Sequence, residues 1–256
     1  MDQGLDETRK EFARQSVHMD SAPAFHAERV LQRLVSAVRS APAERVLDLA
    51  CGPGILAQAI ARDAHHVLGV DVTPEMVALA KQRFQKARLQ NGRFLVGAAE
   101  QLPVERETFD QLITRLSFHH FTDVPSVLAE ARRVLRREGQ LVVADVVSSE
   151  DADESALHNS LEKLRDPTHV RMYSAGNLLD ILHYGGFRVV HHESWRQART
   201  FSEWAAIVGD PKRTTPLETV MRALARAGQT AGIGLREESG ELRFTHTWLL
   251  AIAVAG

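Results

Sequence analysis

Val46-Leu47-Asp48-Leu49-Ala50-Cys51-Gly52-Pro53-Gly54, running on into Ile55-Leu56-Ala57, decides the fold. The apolar run with one acid inside it reads as a short buried strand, Gly-Pro-Gly as a turn, and the continuation to Ile60 as a helix. Glycines at such a junction let the backbone approach a ligand closely, and the helix N-terminus offers free N–H donors to a negative group. Taken alone, the pattern also fits a dinucleotide fingerprint with alanine at its third glycine position.

Moving outward, the same alternation repeats. His66 to Val70 reads as a second strand closed by Asp71, and Thr73-Pro74-Glu75 opens a helix with a capping hydroxyl, a proline and an early acid. Arg93 to Val96 and Phe109 to Ile113 follow as strands, Pro125 to Arg137 as an amphipathic helix closed by Gly139, and Gln140 to Val147 as a fifth strand. Beyond it come a helix around Ser155 to Leu164, a helix from Ser174 to Tyr184, a strand near Phe187 to His191 and a last strand from Leu242 to Val254. Strands alternating with helices predict a doubly wound α/β fold: a mainly parallel, seven-stranded sheet with helices on both faces and its ligand crevice at the carboxyl ends of the strands. Upstream, Ala27, Val30, Leu31, Leu34, Val35 and Val38 form one apolar stripe that Pro42 ends, and the residues before about Ala24 are polar and weakly patterned. One domain is expected, with 1–43 as a helical lid segment, 44–147 as the ligand-binding core and 148–256 as a covering segment with the last strands.

Composition narrows the class. Of 256 residues 44% are hydrophobic and 25% charged, enough for one large core. Lys and Arg total 31 against 33 for Asp and Glu, a net charge of -2 that argues against a nucleic-acid partner. One cysteine excludes an internal disulfide framework, and the charged start, without an apolar core, does not read as a signal peptide. The longest apolar stretch, Trp248 to Ala255, is too short to span a bilayer. A cytoplasmic protein, monomeric or homodimeric, with no membrane or nucleic-acid partner is the expectation.

Two carboxylates flank the glycine turn. Asp71 ends the second strand, where a carboxylate accepts both hydroxyls of a ribose. Asp48 discriminates between ligands: a carboxylate there repels a pyrophosphate and attracts an ammonium group. An NAD-dependent oxidoreductase is therefore the weaker reading.

Val46 to Gly54 with Val67-Leu68-Gly69-Val70-Asp71 resembles motifs I and II of class I S-adenosylmethionine-dependent methyltransferases. Leu102-Pro103, Phe109-Asp110, Arg115 to Phe121 and Arg133 to Gly139 follow in the order of the UbiE-like small-molecule branch. The resemblance is close over 44–147 and looser to the C-terminus. It implies S-adenosylmethionine as cofactor, S-adenosylhomocysteine as product, and O-, N- or C-methylation of a small-molecule acceptor. It also implies that Gly52 and Gly54 approach the methionine part, that Asp71 binds the ribose, that Met76 packs on the adenine, and that Val72 belongs to the cofactor site. Where relatives have Gly-Asp-Ala-Glu, this chain has Gly97-Ala98-Ala99-Glu100, so backbone groups of Ala98 and Ala99, or Glu100 turned inward, are left to meet the adenine amino group. The cofactor motifs say nothing of the acceptor, which leaves open a protein that binds the cofactor without methylating, as a cyclase or a regulator.

Methyl transfer from a sulfonium needs alignment and exclusion of water, and a base where the acceptor loses a proton. Candidate bases are His119 and His120 after the fourth strand and His169 in the segment Arg165-Asp166-Pro167-Thr168-His169-Val170-Arg171. Each histidine has a plain structural alternative, as a packing or hydrogen-bonding group. Arg115 is placed to hold the cofactor carboxylate or to make an ion pair, with Ser117 on the same side of the chain. Arg165 and Arg171 are candidates to orient an acceptor, and Asp166 to pair with one of them. Phe12, Gln15, His18, Trp195, Phe201 and Trp204 are candidates to enclose an aromatic acceptor. Cys51 is expected to pack. No metal site is expected, because the twelve histidines are dispersed and the adjacent pairs His65-His66, His119-His120 and His191-His192 face apart.

Overall fold

Five parallel strands carry the crevice: β1 (Arg45–Leu49), β2 (His66–Asp71), β3 (Gly92–Val96), β4 (Phe109–Arg115) and β5 (Leu135–Val147). The computed structural model describes residues 2–38 and 45–255. β8 (Glu241–Ala255) pairs antiparallel with β5, and β6 (Phe187–Thr200) pairs antiparallel with β8, giving the order β3-β2-β1-β4-β5-β8-β6. The short strand β7 (Arg236–Glu238) pairs with the start of β8 and makes the sheet eight-stranded. The seven expected strands are all present; β7 is additional, because Arg-Glu-Glu carries no apolar alternation and is a strand only through its pairing.

Alternate residues of each strand face opposite layers. Leu47, Leu49, Leu112, Leu141, Val143 and Leu249 pack on one side against α5 (Val124–Val134) and α7 (Ala175–Tyr184). Val46, Val67, Ile113, Val142, Trp248 and Leu250 pack on the other against α2 (Glu28–Ala37), α3 (Ile55–Ile60) and α4 (Pro74–Lys86). The stripe read from Ala27 to Val38 is α2, with Val30 and Leu34 buried; Pro42, read as its terminator, lies outside the described residues. α5 stops at Val134, and the predicted last turn, Leu135 to Arg137, already belongs to β5, with Glu138 at φ +60° beside an irregularity in the β4–β5 register.

The ends of the chain differ most from expectation. The polar N-terminal stretch forms α1 (Asp2–Ser21), held by Arg9 Nε donating to Val72 O (3.2 Å) and by the Arg83–Asp20 ion pair. Between β6 and β8 lie α8 (Phe201–Val208), capped by Thr200, and α9 (Pro211–Arg226), capped by Asp210. With α6 (Ala152–Arg165) they enclose a third apolar cluster of Leu161, Phe201, Trp204, Met221, Ile233 and Phe244. The strand order reverses between β1 and β4, and this switch point is where a crevice opens in such sheets.

Candidate functional site

A cavity of about 840 Å³ fills that switch point. Its floor comes from the carboxyl ends of the strands: Asp48 to Pro53, Val70 to Val72, Gly97 to Gln101 and Arg115 to Ser117. Its roof comes from α1, whose Leu5, Thr8, Phe12 and Met19 share one helix face, and from Phe25. Ala50 (φ +54°) and Leu116 (φ +54°) turn the chain sharply at the ends of β1 and β4, so backbone strain is concentrated at the cavity.

The two carboxylates behave differently. Asp71 is oriented by backbone donors, Gly52 N–H to Oδ2 (2.8 Å) and Thr73 N–H to Oδ1 (2.9 Å), which leaves lone pairs on both oxygens for hydroxyl groups. Burial raises its pKa and those two donors oppose the rise. Asp48 is 2% exposed, and its Oδ2 has no partner. Burial pushes Asp48 up to about 7 against the pull of Arg115 and of the Ala57 N–H, a carboxyl poised to ionise when a cation arrives. Burial holds the Arg115 guanidinium down at about 10; its Nη1 donates to Phe25 O (3.1 Å) and the group lies 5.6 Å over the Phe25 ring.

The two glycines serve different ends. Gly52, at φ +52°, has open space where a side chain would begin and lines the cavity. Gly54, at φ +75°, does not line it; a Cβ there would stand 2.8 Å from Ala80 Cβ, so this glycine lets α3 pack on α4. The expectation that both approach the ligand is corrected in this respect. Val72, Met76, Ala98, Ala99 and Glu100 all line the cavity, and the Ala98 carbonyl is occupied by the Gln101 N–H (3.2 Å). Cys51 also lines it, but burial raises its thiol well above the usual range, which leaves packing as its role.

Residues 40–200 match the family model described as a methyltransferase domain. The chain belongs to this methyltransferase family. It is 33% identical over 167 residues to the uncharacterised methyltransferase YcgJ of Bacillus subtilis (strain 168), a match spanning 65% of this chain and 66% of that protein. It is 36% identical over 118 residues to the demethylmenaquinone methyltransferase of Thermotoga maritima, covering 45% of this chain and 49% of that one. The chain thus spans about half to two thirds of the length of these relatives. The crystal structure of the Bacillus YcgJ protein superposes with a TM-score of 0.81 at 26% identity, over 89% of this chain and 98% of that one. S-adenosylmethionine is the cofactor of the family, and the residues of this methyltransferase fit it. The orphaned Asp48 oxygen suits the ammonium group, Arg115 the carboxylate, Asp71 the ribose, Met76 the adenine face, and the bare Cα of Gly52 allows close approach.

Of the three candidate bases, the cavity receives one. His120 lines it; Thr168 O lies 3.1 Å from Nδ1, and because a carbonyl only accepts, Nδ1 carries the proton. Nε2 then holds the free lone pair and has no protein partner among the described residues. Burial and neighbouring His119 push His120 down to about 4, so the ring is neutral at pH 7. His119 points away, its Nδ1 on Asp145 Oδ1 (2.6 Å), while its carbonyl accepts from Val170 N–H and Arg171 N–H. His169 Nε2 donates to Asn159 Oδ1 (2.9 Å), again outside the cavity.

The segment after β5 was expected to cover the acceptor, yet the cavity walls come from residues 4–126 alone. Arg165 is buried in a fork on Glu162 Oε2 (Nε 3.1 Å, Nη2 2.8 Å) and lies 4.8 Å over Trp204. Arg171 lies 5.3 Å over Tyr173 at the surface, and Trp204 donates to Glu162 Oε1 (3.2 Å) inside the third cluster. None of these three lines the cavity. Trp195 stacks on Trp248 (5.5 Å), Phe201 packs on Trp204 (5.8 Å), and Gln15 is spent on Glu11 (2.8 Å). His18 contributes to the α1–α8 contact at Gly209. Leu5, Thr8, Phe25 and Phe121 were not singled out from sequence, since only packing brings them to the cavity.

Proposed function

We propose that this methyltransferase moves a methyl group from S-adenosylmethionine to a small, neutral, largely apolar acceptor whose proton His120 removes. One observation carries the reading: a neutral imidazole, its tautomer fixed by the Thr168 carbonyl, offers a lone pair to the cavity beside the cofactor half. Thr168 is itself held by Asp166, which accepts from its N–H (2.9 Å) and its hydroxyl (2.6 Å), so the support is rigid.

When bound, the cofactor supplies a methyl group on a sulfonium that leaves as a neutral thioether. This chain's residues do the rest. Asp48 and Arg115 hold the amino-acid end, Asp71 the ribose, and α1 closes over the acceptor to exclude water. Among the described residues lining the cavity, Arg115 is the one permanently charged cation and it belongs to the cofactor end. The acceptor end offers Phe12, Phe121, Leu5, Thr8 and Ser126, which suits an aromatic or polycyclic neutral molecule better than a phosphate or carboxylate.

Among the described residues, no helix is long and apolar enough to cross a membrane. A cytoplasmic monomer or homodimer acting on a free small molecule, with no nucleic-acid partner, is the matching proposal; the net charge of -2 supports it.

Calorimetric titration with S-adenosylmethionine, S-adenosylhomocysteine and NAD, followed by methyl turnover on neutral phenols, amines and carbon acids, tests this. Binding of both adenosyl ligands without NAD, and turnover on the neutral acceptors, is expected. NAD binding alone would overturn the reading of Asp48. Adenosyl binding without turnover on any acceptor would point to a protein that holds the cofactor for another purpose.

A further inference from the structure

Outside the cavity, between α6 and β8, three donors meet in the interior. His158 and Glu162 lie four residues apart on one face of α6, and His246 projects from β8. Their exposures are 1%, 2% and 5%. His158 Nε2 and His246 Nε2 stand 3.7 and 3.5 Å from Glu162 Oε1, and one ligand atom from each residue falls within 4.8 Å of the others. Both His158 nitrogens and His246 Nε2 are buried without a hydrogen-bond partner. Leaving three ring nitrogens unsatisfied in one place is costly unless something else satisfies them.

We propose that His158, Glu162 and His246 form a binding site for a divalent transition-metal cation of the zinc class. Two imidazole nitrogens and one carboxylate oxygen select such a cation over Mg²⁺ or Ca²⁺, which want oxygen ligands throughout. Zinc–ligand bonds of about 2.0–2.1 Å set tetrahedral ligands roughly 3.4 Å apart, close to the separations from each histidine to Glu162. The surroundings suit ligation as well. Trp204 Nε1 donates to Glu162 Oε1, and Arg165 holds Oε2, so the carboxylate is oriented by hydrogen bonds of its own. Because Arg165 already balances the Glu162 charge, the cation enters without a full counter-charge, and its binding is correspondingly modest. With three protein ligands, solvent supplies the fourth. The site is a staple: it ties α6 to β8 and steadies the loop whose Thr168 fixes His120. It departs from the expectation of no metal, since His246 lies far along the chain from the other two.

The full-length protein, stripped with a chelator and then dialysed with Zn²⁺ or Co²⁺, is gel-filtered and its metal content and thermal midpoint are measured. One retained equivalent, a higher midpoint and the visible absorption of four-coordinate Co²⁺ are expected. The His158→Asn and His246→Asn variants should lose the retained metal, while the surface double variant His65→Ala/His66→Ala keeps it. No retained metal in the wild type, or equal retention in both Asn variants, would overturn the site and leave a buried water as the group between these side chains. The Co²⁺ spectrum of the wild type decides the question even if a variant does not fold.

Discussion

The ring of Phe12 meets the ring of His120 edge-on, with centroids 5.0 Å apart and planes at 81°. One ring belongs to the N-terminal helix and the other to the turn after β4, so the roof of the cavity rests on the proposed base. Phe12→Ala is expected to raise the KM for acceptor and lower kcat, because water reaches His120, while the calorimetric affinity for S-adenosylhomocysteine changes less than about twofold. Equal loss of both would make α1 part of the cofactor site.

Removing the base should cost turnover without costing the cofactor. His120→Ala is expected to lower kcat by roughly 10²-fold where the acceptor loses a proton, with unchanged adenosyl binding. With His120 at about 4, protonation of this ring leaves the rate flat from pH 8 to 6 and reduces it only as pH approaches 4. A kcat that falls with a midpoint near 6.5 would show an ordinary, solvated histidine instead.

Stability should follow the same depressed groups. His120 is pushed down to about 4 and His169 to about 3, chiefly by burial, whereas an unfolded histidine titrates near 6.5. Below 6.5 the unfolded chain takes up protons that the native one refuses, so stability rises with pH across the window from about 3–4 to 6.5 and is lost on acidification. His119, raised by Asp145 in spite of its burial, and Asp48, pushed up to about 7 by burial, oppose this. In Asp48→Asn, where the opposing carboxyl is gone, a thermal midpoint that drops between pH 7 and 5 is expected; a constant one there would show that these rings take up protons as readily in the folded state as in the unfolded one.

The paired glycines separate binding from folding. Gly54→Ala drives a methyl group into Ala80 and should lower the thermal midpoint by several degrees, a cost of about 1–3 kcal/mol. Gly52→Ala meets nothing, so beyond the backbone strain that both variants share at positive φ it should act mainly on adenosyl affinity, by filling the approach. Calorimetry and thermal unfolding of the two variants give opposite rankings if this division holds.

Trp204 is a core residue, 4% exposed, so Trp204→Ala is expected to cost about 3–5 kcal/mol of stability rather than acceptor affinity. Denaturant unfolding measures it. A normal midpoint with a raised acceptor KM would return Trp204 to the substrate site.

The sequence by itself determined the α/β alternation and the strand-end floor of the cavity. Asp48, Gly52 and Asp71 sit at strand ends, and strand period together with parallel pairing carries consecutive strand ends to one crevice, so local pattern suffices. The acceptor half was decided by tertiary structure. His119 and His120 are neighbours in a single tight turn, and no periodicity tells which faces the cavity; Asp145 on β5 takes the first, and the Thr168 carbonyl holds the second. The segment Arg165 to Arg171 gathers functional side chains on paper, yet Glu162 and Tyr173 turn its arginines away, and what reaches His120 is the carbonyl and hydroxyl of Thr168. Phe12 stands in a polar stretch, and its apolar neighbours on the roof, Leu5 and Met19, each lie seven residues away, too thin a stripe to read before α4 and α8 give it a surface. His246 meets His158 and Glu162 only because β8 returns to pair with β5 and β6. Contacts between residues far apart in the chain leave no spacing to read; they exist once the sheet has closed over its layers.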